Sequence, residues 1–289
     1  VMLAATGIGK DFKAGDGVTI QIDNSTAKWT DAKNIFVNDD GDGKLSVKTV
    51  IKDRTDDSIT FVGIISANKT FSVVGGNQLP LTVKREVPDM AFITECNNRL
   101  WGCSMDGREI YCCKLGDITN WNVFAGISTD AWAVTVGSDG EFTGATTYQG
   151  YPIFFKEDSM IKVSVSSSGA HQTKETFCRG VQKDCGKSLQ ILNEVLYYKS
   201  PSAICCYSGS VPYSISEAFA DEKYTEAVAG TIGDRYYISM VDADDNDHMF
   251  VFDASKQKWA REDNASALWF ARHDDDLYFI DYNDNTIKS

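Results

Sequence analysis

The sequence predicts an all-β fold: a β-propeller of about five recognisable four-stranded blades, with a small N-terminal or inserted β domain. Three observations predict it. A strand–turn–strand phrase recurs five times at a period of about 40 to 50 residues, the spacing of propeller blades. The apolar runs are short, rich in β-branched and aromatic residues, and bounded by Gly, Asp and Asn. Helical periodicity is nearly absent; only the stretch from Ser214 to Gly230 reads as able to hold a helical turn. One or two β-sandwiches would also show regular short strands. The unit length and the paired phrase recur together, which favours blades.

Residues 1–89 differ from the rest. VTIQI, NIFVND, KLSVKTVIKD, SITFVGII and TFSVV read as short strands of a small all-β domain, the first headed by Gly15-Asp16-Gly17. Pro80 and Pro88 break the following segment, and the boundary falls near Met90. Residues 90–289 are then propeller. The first blade opens at Arg99-Leu100-Trp101, turns at Asp106-Gly107 and continues at Ile110-Tyr111-Cys112. A loop with Gly116 and Asp117 follows, closed by Trp121 and Phe124. Later blades open at Ile153, Leu196, Tyr236 and Leu277, aligned on Leu100. Their partner strands start at Ile161, Ile204, Phe250 and Ile287, beyond the turns EDS, SPSA, DADDND and NDN. Five units are few for a closed ring, and the chain opens on apolar residues without a starting Met. The expectation is that blades precede Val1.

The net charge of -13 argues against nucleic acid as a direct partner, because phosphate binding needs a cationic surface. No run approaches 18 apolar residues, and Val1 to Ala5 lacks a basic n-region, so neither a membrane helix nor a signal peptide is expected. The eight cysteines sit mostly inside apolar strand-like runs and are expected to be reduced and buried. Their pairs are adjacent or seven apart, not the C-x2-C of a zinc site.

Several stretches approach a chemical motif. Asn38, Asp40 and Asp42 fall at the first three ligand positions of an EF-hand loop, with Gly43 at the sixth. Thr49 stands where the bidentate Glu belongs, and the flanks read as strands. A solvated hairpin turn is expected, with at most a weak calcium site. The acidic runs Asp242 to Asp247 and Asp274 to Asp276 read the same way. Gly180 to Ser188, GVQKDCGKS, spaces its glycines one residue too far apart for a phosphate-binding loop, and no long helix follows. Ser66 and Lys69 match S-x-x-K without the motifs that would accompany it. His171, His248 and His273 form no visible triad. Trp121, Trp132, Trp259 and Trp269 lie near loops, where they either stack sugars or lock neighbouring blades. No sialidase-type Asp-box and no terminal WD dipeptide occurs. No catalytic residue and no cofactor is expected.

The phrases NRLWG, LGDITNWNVF, CRGVQKDCGKSL and EVLYYKSPSAICCYSG resemble a family of prophage-encoded virion proteins of Gram-positive gut bacteria. FKAGDGVTI resembles a small β domain inserted in that family. The resemblance covers roughly Phe92 to Asp263 and carries no catalytic motif. It implies a non-enzymatic structural protein of a phage particle, a head–tail connector or tail component, made in the bacterial cytoplasm. Its implied partners are other virion proteins and further copies of itself, with no membrane. The alternative is a carbohydrate-binding or glycoside-hydrolysing propeller, which would gather carboxylates and aromatic rings at a central channel.

Overall fold

The computed structural model describes all residues except 26–34, 37, 62–69, 73–80, 122–127, 168, 220–221 and 264. Ser66 and Lys69, and Phe124, therefore lie outside the described residues. The chain divides into two compact units: Val1–Asp89 with Tyr111–Val134, and Met90–Ile110 with Thr135–Ser289. The segment 111–134, assigned to the first blade from sequence, thus groups with the small β unit.

In the first unit, β1 (Met2–Ala4), β2 (Gly17–Asp23), β3 (Asn38–Gly41), β4 (Lys44–Thr55), β5 (Ser58–Phe61), β6 (Thr70–Ser72) and β7 (Leu81–Arg85) form one sheet. Its order is β6-β1-β5-β4-β2-β7, with β3 also on β4. Strand β2 alternates strictly: Val18, Ile20 and Ile22 are buried, and the residues between them are not. They meet Leu45, Val47, Ile51, Ile59 and Phe61 in a single core. Each large side chain so buried contributes about 1.5–3 kcal/mol. Arg85 Nη2 reaches Asp16 Oδ2 at 2.7 Å with both side chains buried, and also donates to the Asp11 carbonyl. Arg85 Nη1 donates to the Trp121 carbonyl at 3.3 Å, which ties the 111–134 segment to β7.

Five further sheets are the propeller blades. Blade one is β8 (Met90–Cys96), β9 (Arg99–Ser104), β10 (Glu109–Cys112) and β11 (Trp132–Thr135). Blade two is β12 (Gly144–Tyr148), β13 (Tyr151–Phe155), β14 (Ser159–Val165) and β15 (His171–Phe177). Blade three is β16 (Gln190–Leu192), β17 (Val195–Lys199), β18 (Ile204–Tyr207) and β19 (Tyr213–Ser214). Blade four is β20 (Thr225–Ile232), β21 (Arg235–Val241), β22 (Asp247–Asp253) and β23 (Lys258–Asp263). Blade five shows three strands, β24 (Ala267–His273), β25 (Asp276–Asp281) and β26 (Ile287–Lys288). Each is an antiparallel meander. The stretch from Ser214 to Gly230 does hold a single 3-10 turn, at Glu217–Phe219.

The first two strands of every blade are joined by a two-residue turn whose first residue has positive φ: Asn97, Gln149, Asn193, Gly233 and Asp274. Such turns match the right-handed twist of the flanking strands. They also fix the repeat. Arg99, Tyr151, Val195, Arg235 and Asp276 each open the second strand just after the turn. Pro152, not Ile153, is therefore the equivalent of Leu100, Leu196, Tyr236 and Leu277. The sequence alignment of blade two was off by one because a proline occupies the apolar position.

With that register the second strands read alike. The third and fifth positions face the next blade, and the second and fourth face the previous one. Trp101 packs edge-on against His171 of blade two, with ring centroids 5.6 Å apart. Phe155 meets Tyr198 of blade three at 5.2 Å. Tyr197 stacks on Tyr236 of blade four at 5.4 Å. Tyr237 packs into the cluster that holds Ala267 and Phe270 of blade five. All eight cysteines are thiols outside any disulfide, and seven are buried. Burial pushes the Cys103 thiol up to about 12, so it acts as a small hydrophobe.

Candidate functional site

Three features of the second unit invite a functional reading: its hub, a cleft on blade four, and the forward face of blade five.

The hub is filled by the near-phosphate-loop sequence. Gly186–Ser188 forms one 3-10 turn between blades two and three. It touches all five blades. A Cβ on Gly186 would lie 2.9 Å from Phe92 Cε1 of blade one and 2.7 Å from the Thr143 carbonyl oxygen, one residue before blade two. Ser188 Oγ accepts from the Lys199 amide at 2.9 Å in blade three. The Ser188 carbonyl accepts from Tyr236 Oη at 2.9 Å in blade four. Lys187 Nζ donates to the Leu268 carbonyl at 3.2 Å and sits 5.5 Å from the Trp269 ring centroid in blade five. A three-residue turn carries no helix dipole worth the name, and its groups are spent on the blades. GKS is here a structural plug.

The cleft, of about 760 Å³, lies beside the loop that joins β21 to β22. Asp242 is its organising group. Its carboxylate accepts from the Asp244 and Asn246 amides at 2.9 Å each, from Asn246 Nδ2, and pairs with His248 Nε2 at 2.7 Å. The His248 hydrogen bond, followed by the Asn246 amide, holds the Asp242 carboxyl far below the usual carboxylate range. Asp242 is thus held as an anion at neutral pH and closes the DADDND turn. His248 stacks on Phe250 and meets Tyr224 edge-on. Tyr224 Oη donates to Glu222; burial and that carboxylate push the phenol up. Trp259 forms another wall, its Nε1 donating to the Ile215 carbonyl at 2.7 Å. Glu222 and Asp242 already hold partners, Asp244 and Arg261 also line the cleft, and Phe219, Tyr224, Phe250 and Trp259 give it aromatic walls.

Blade five presents the third feature. Trp269 pairs with Ile280, and Ile280 pairs with Ile287, so the three side chains stand in one cross-strand row. They are 54%, 37% and 73% exposed. The opposite face, through Phe270 and Phe279, packs on blade four. Tyr278 and Ile280 hold the positions that in blades three and four belong to Tyr197 and Lys199, and to Tyr237 and Ser239. Those positions are covered by the following blade.

The residues singled out from sequence are otherwise dispersed. Asn38 and Asp40 lie in β3 and Asp42 in the turn after it, at φ 50. Asp40 accepts from Gln21 Nε2 at 2.9 Å and Ser46 Oγ at 3.1 Å. Among the described residues no group of three or more His, Cys, Asp or Glu is placed to hold a metal ion. Trp121 Nε1 donates to the Ile118 carbonyl within its own loop. Of the histidines, His171 is inter-blade packing, His248 lines the cleft and His273 is exposed beside Asp274. Sequence reading missed the Asp242–His248 pair, whose six-residue separation becomes a contact only through the hairpin. It also missed two buried lysines. Lys156 Nζ donates to the Ser138 and Asp139 carbonyls, and Lys199 Nζ to Gln182 Oε1 and the Ser200 carbonyl. Burial lowers both amines from their ordinary value.

No family model and no curated protein matches the chain. Among solved structures it is similar to Hsv2 of Kluyvelomyces marxianus at 9% identity and TM-score 0.41, over 70% of this chain and 64% of that one. It therefore spans less than two thirds of that relative's length. A putative exported protein of Bacteroides fragilis matches at 6% identity and TM-score 0.37, over 70% of this chain and 73% of that one. The WD40 domain of Toxoplasma gondii coronin matches at 9% and 0.38, over 84% and 66%.

Proposed function

We propose that this chain is a non-enzymatic structural protein of a phage or prophage particle, where its blades act as a protein-interaction scaffold. The observation that carries the reading is the apolar row Trp269–Ile280–Ile287, exposed at positions that other blades cover. An exposed apolar row of that kind favours contact with further protein, whether another blade or a separate chain. The plugged hub supports the same reading, since the place where a propeller hydrolase would gather its carboxylates is occupied by Gly186–Ser188. The resemblance of the LGDITNW and CRGVQKDCGKSL phrases to virion proteins supplies the setting. Mass spectrometry of purified particles, after inducing the source strain's prophages, tests it. Stoichiometric peptides from this chain are expected; their absence from intact particles overturns the virion setting.

A second reading is carbohydrate binding at the blade-four cleft, favoured by the grouping of Tyr224, Trp259, His248 and Arg261 around one space. A glycan array tests it: binding that Trp259→Ala abolishes would support this reading over the scaffold.

A further inference from the structure

We propose that a cavity between blade three and the connector into blade four binds a small oxyanion, a carboxylate or a phosphate, through Lys199 and Ser216. The proposal depends on neither reading above.

The cavity holds about 400 Å³. Its lining includes Lys199 and the turn Pro201 to Ala203 from blade three, Ser216 and Lys223 from the connector, and Met240 from blade four. Lys199 ends β17 and is 4% exposed. Its ammonium has three hydrogens to donate. One goes to Gln182 Oε1 at 2.6 Å and one to the Ser200 carbonyl at 2.5 Å. The third meets no acceptor among the described residues. Ser216 is also buried. Its Oγ accepts from the Ile204 amide at 3.0 Å, and its own hydrogen meets no acceptor among the described residues. Two buried donors therefore line one cavity with hydrogens left to give.

Water satisfies a donor but not a charge. Both partners of Lys199 are neutral, and no carboxylate among the described residues pairs with it. The other buried amine differs. Lys156 stands in the field of Glu175, Asp158, Asp139 and Asp106, which opposes the effect of its burial. Around Lys199 that part falls to Cys185 and Cys205. Burial raises both thiols, so they are neutral and supply no counter-charge. A buried ammonium without a counter-ion weakens the fold. An oxyanion in the cavity brings the missing charge and at least two acceptor atoms. Lys223, exposed and lining the same space, adds a second cation. Glu222 lines it too, with its carboxylate engaged by Tyr224 Oη. Because Phe219, Glu222, Lys223 and Tyr224 also line the blade-four cleft, the anion is either free or the carboxylate of an acidic sugar whose ring lies in that cleft.

Calorimetric titration of the full chain with acetate, phosphate and glucuronate, at constant ionic strength in chloride, tests the proposal. Saturable one-to-one binding is expected, with a Kd of about 1 mM or tighter. Lys199→Met should weaken it about tenfold or more, the loss of one charge-assisted hydrogen bond. Ser216→Ala repeats the test at the second donor, and near-UV circular dichroism checks that both variants fold. Lys156→Met, which removes the other buried amine, should leave the affinity unchanged. A wild-type chain that takes up none of the three anions by roughly 20 mM, well above a millimolar Kd, overturns the proposal. So does a folded Lys199→Met chain that binds as wild type does. Glucuronate bound about tenfold more tightly than acetate, with the gain lost in Trp259→Ala, identifies an acidic sugar as the source of the anion. Equal affinities identify a free anion.

Discussion

Tyr197 and Tyr278 are the same residue at the same position of the repeat, third in the second strand of blades three and five. They differ in what lies over them. Tyr197 is buried, stacked on Tyr236 with centroids 5.4 Å apart and tilted against Phe252 at 5.9 Å. Its phenol is pushed up to about 12, chiefly by burial. Truncating a buried aromatic costs about 3–5 kcal/mol, the lost transfer energy plus the cavity left behind. Tyr278 is half-buried and its hydroxyl reaches only Asp276 at 3.4 Å. Its truncation should cost under about 1 kcal/mol. The assay is urea unfolding of Tyr197→Ala and Tyr278→Ala, followed by near-UV circular dichroism. With a slope of about 3 kcal/mol/M, Tyr197→Ala should lower the midpoint by about 1 M or more, and Tyr278→Ala by less than a third of that. Equal losses at the two sites would mean that blade five is covered within the chain, and would refute the forward-and-back assignment.

Three further outcomes are expected. Gly186→Ala should destabilise by about 1–3 kcal/mol, because the Thr143 carbonyl 2.7 Å from the new Cβ cannot yield; Gly150→Ala, with open space but φ +76, should cost only about 1 kcal/mol of backbone strain; thermal melts compare them. Lys199→Met should be neutral or stabilising by up to about 1 kcal/mol at pH 7, since it removes a buried cation that no salt bridge among the described residues offsets, while losing the bonds to Gln182 and the Ser200 carbonyl. The folded amine titrates below its unfolded value of 10.5, so wild-type stability should rise relative to Lys199→Met as pH climbs through that window; a pH-independent difference would contradict the burial. Asp242→Asn should lower the melting temperature at neutral pH. The folded carboxyl lies below the unfolded 3.8, so its contribution is present above that pH and lost on acidification, and the gap to wild type should close there.

The blades were legible because each second strand gathers its large apolar residues: IFF, LYY, YYI and LYF. What such runs hide is direction. A strand buried on both faces shows no alternation, so Tyr197 and Tyr198 look alike in sequence although one faces blade four and the other blade two. For the same reason the exposure of Trp269, Ile280 and Ile287 could not be seen; nothing in LYFI differs from a covered blade. The better repeat marker was the turn. The pairs Asn97-Asn98, Gln149-Gly150 and Asn193-Glu194 all take positive φ, and alignment on them sets Pro152 rather than Ile153 opposite Leu100. Gly186-Lys187-Ser188 misled in another way: glycine there answers to close approach of Thr143 and Phe92, not to a phosphate. In the acidic run, Asp242 was legible as a turn former, but its bond to His248 depends on the length of the hairpin.

The most direct test of the account is oxidative footprinting of Trp269, in the free chain and in the assembled particle, with Trp101 as the internal reference. Trp101 is buried between blades one and two and should stay protected in both. Trp269, 54% exposed, should react readily in the free chain and become protected on assembly. If Trp269 stays reactive in both states, the forward face of blade five is not a docking surface, and the claim that this propeller works through it is wrong.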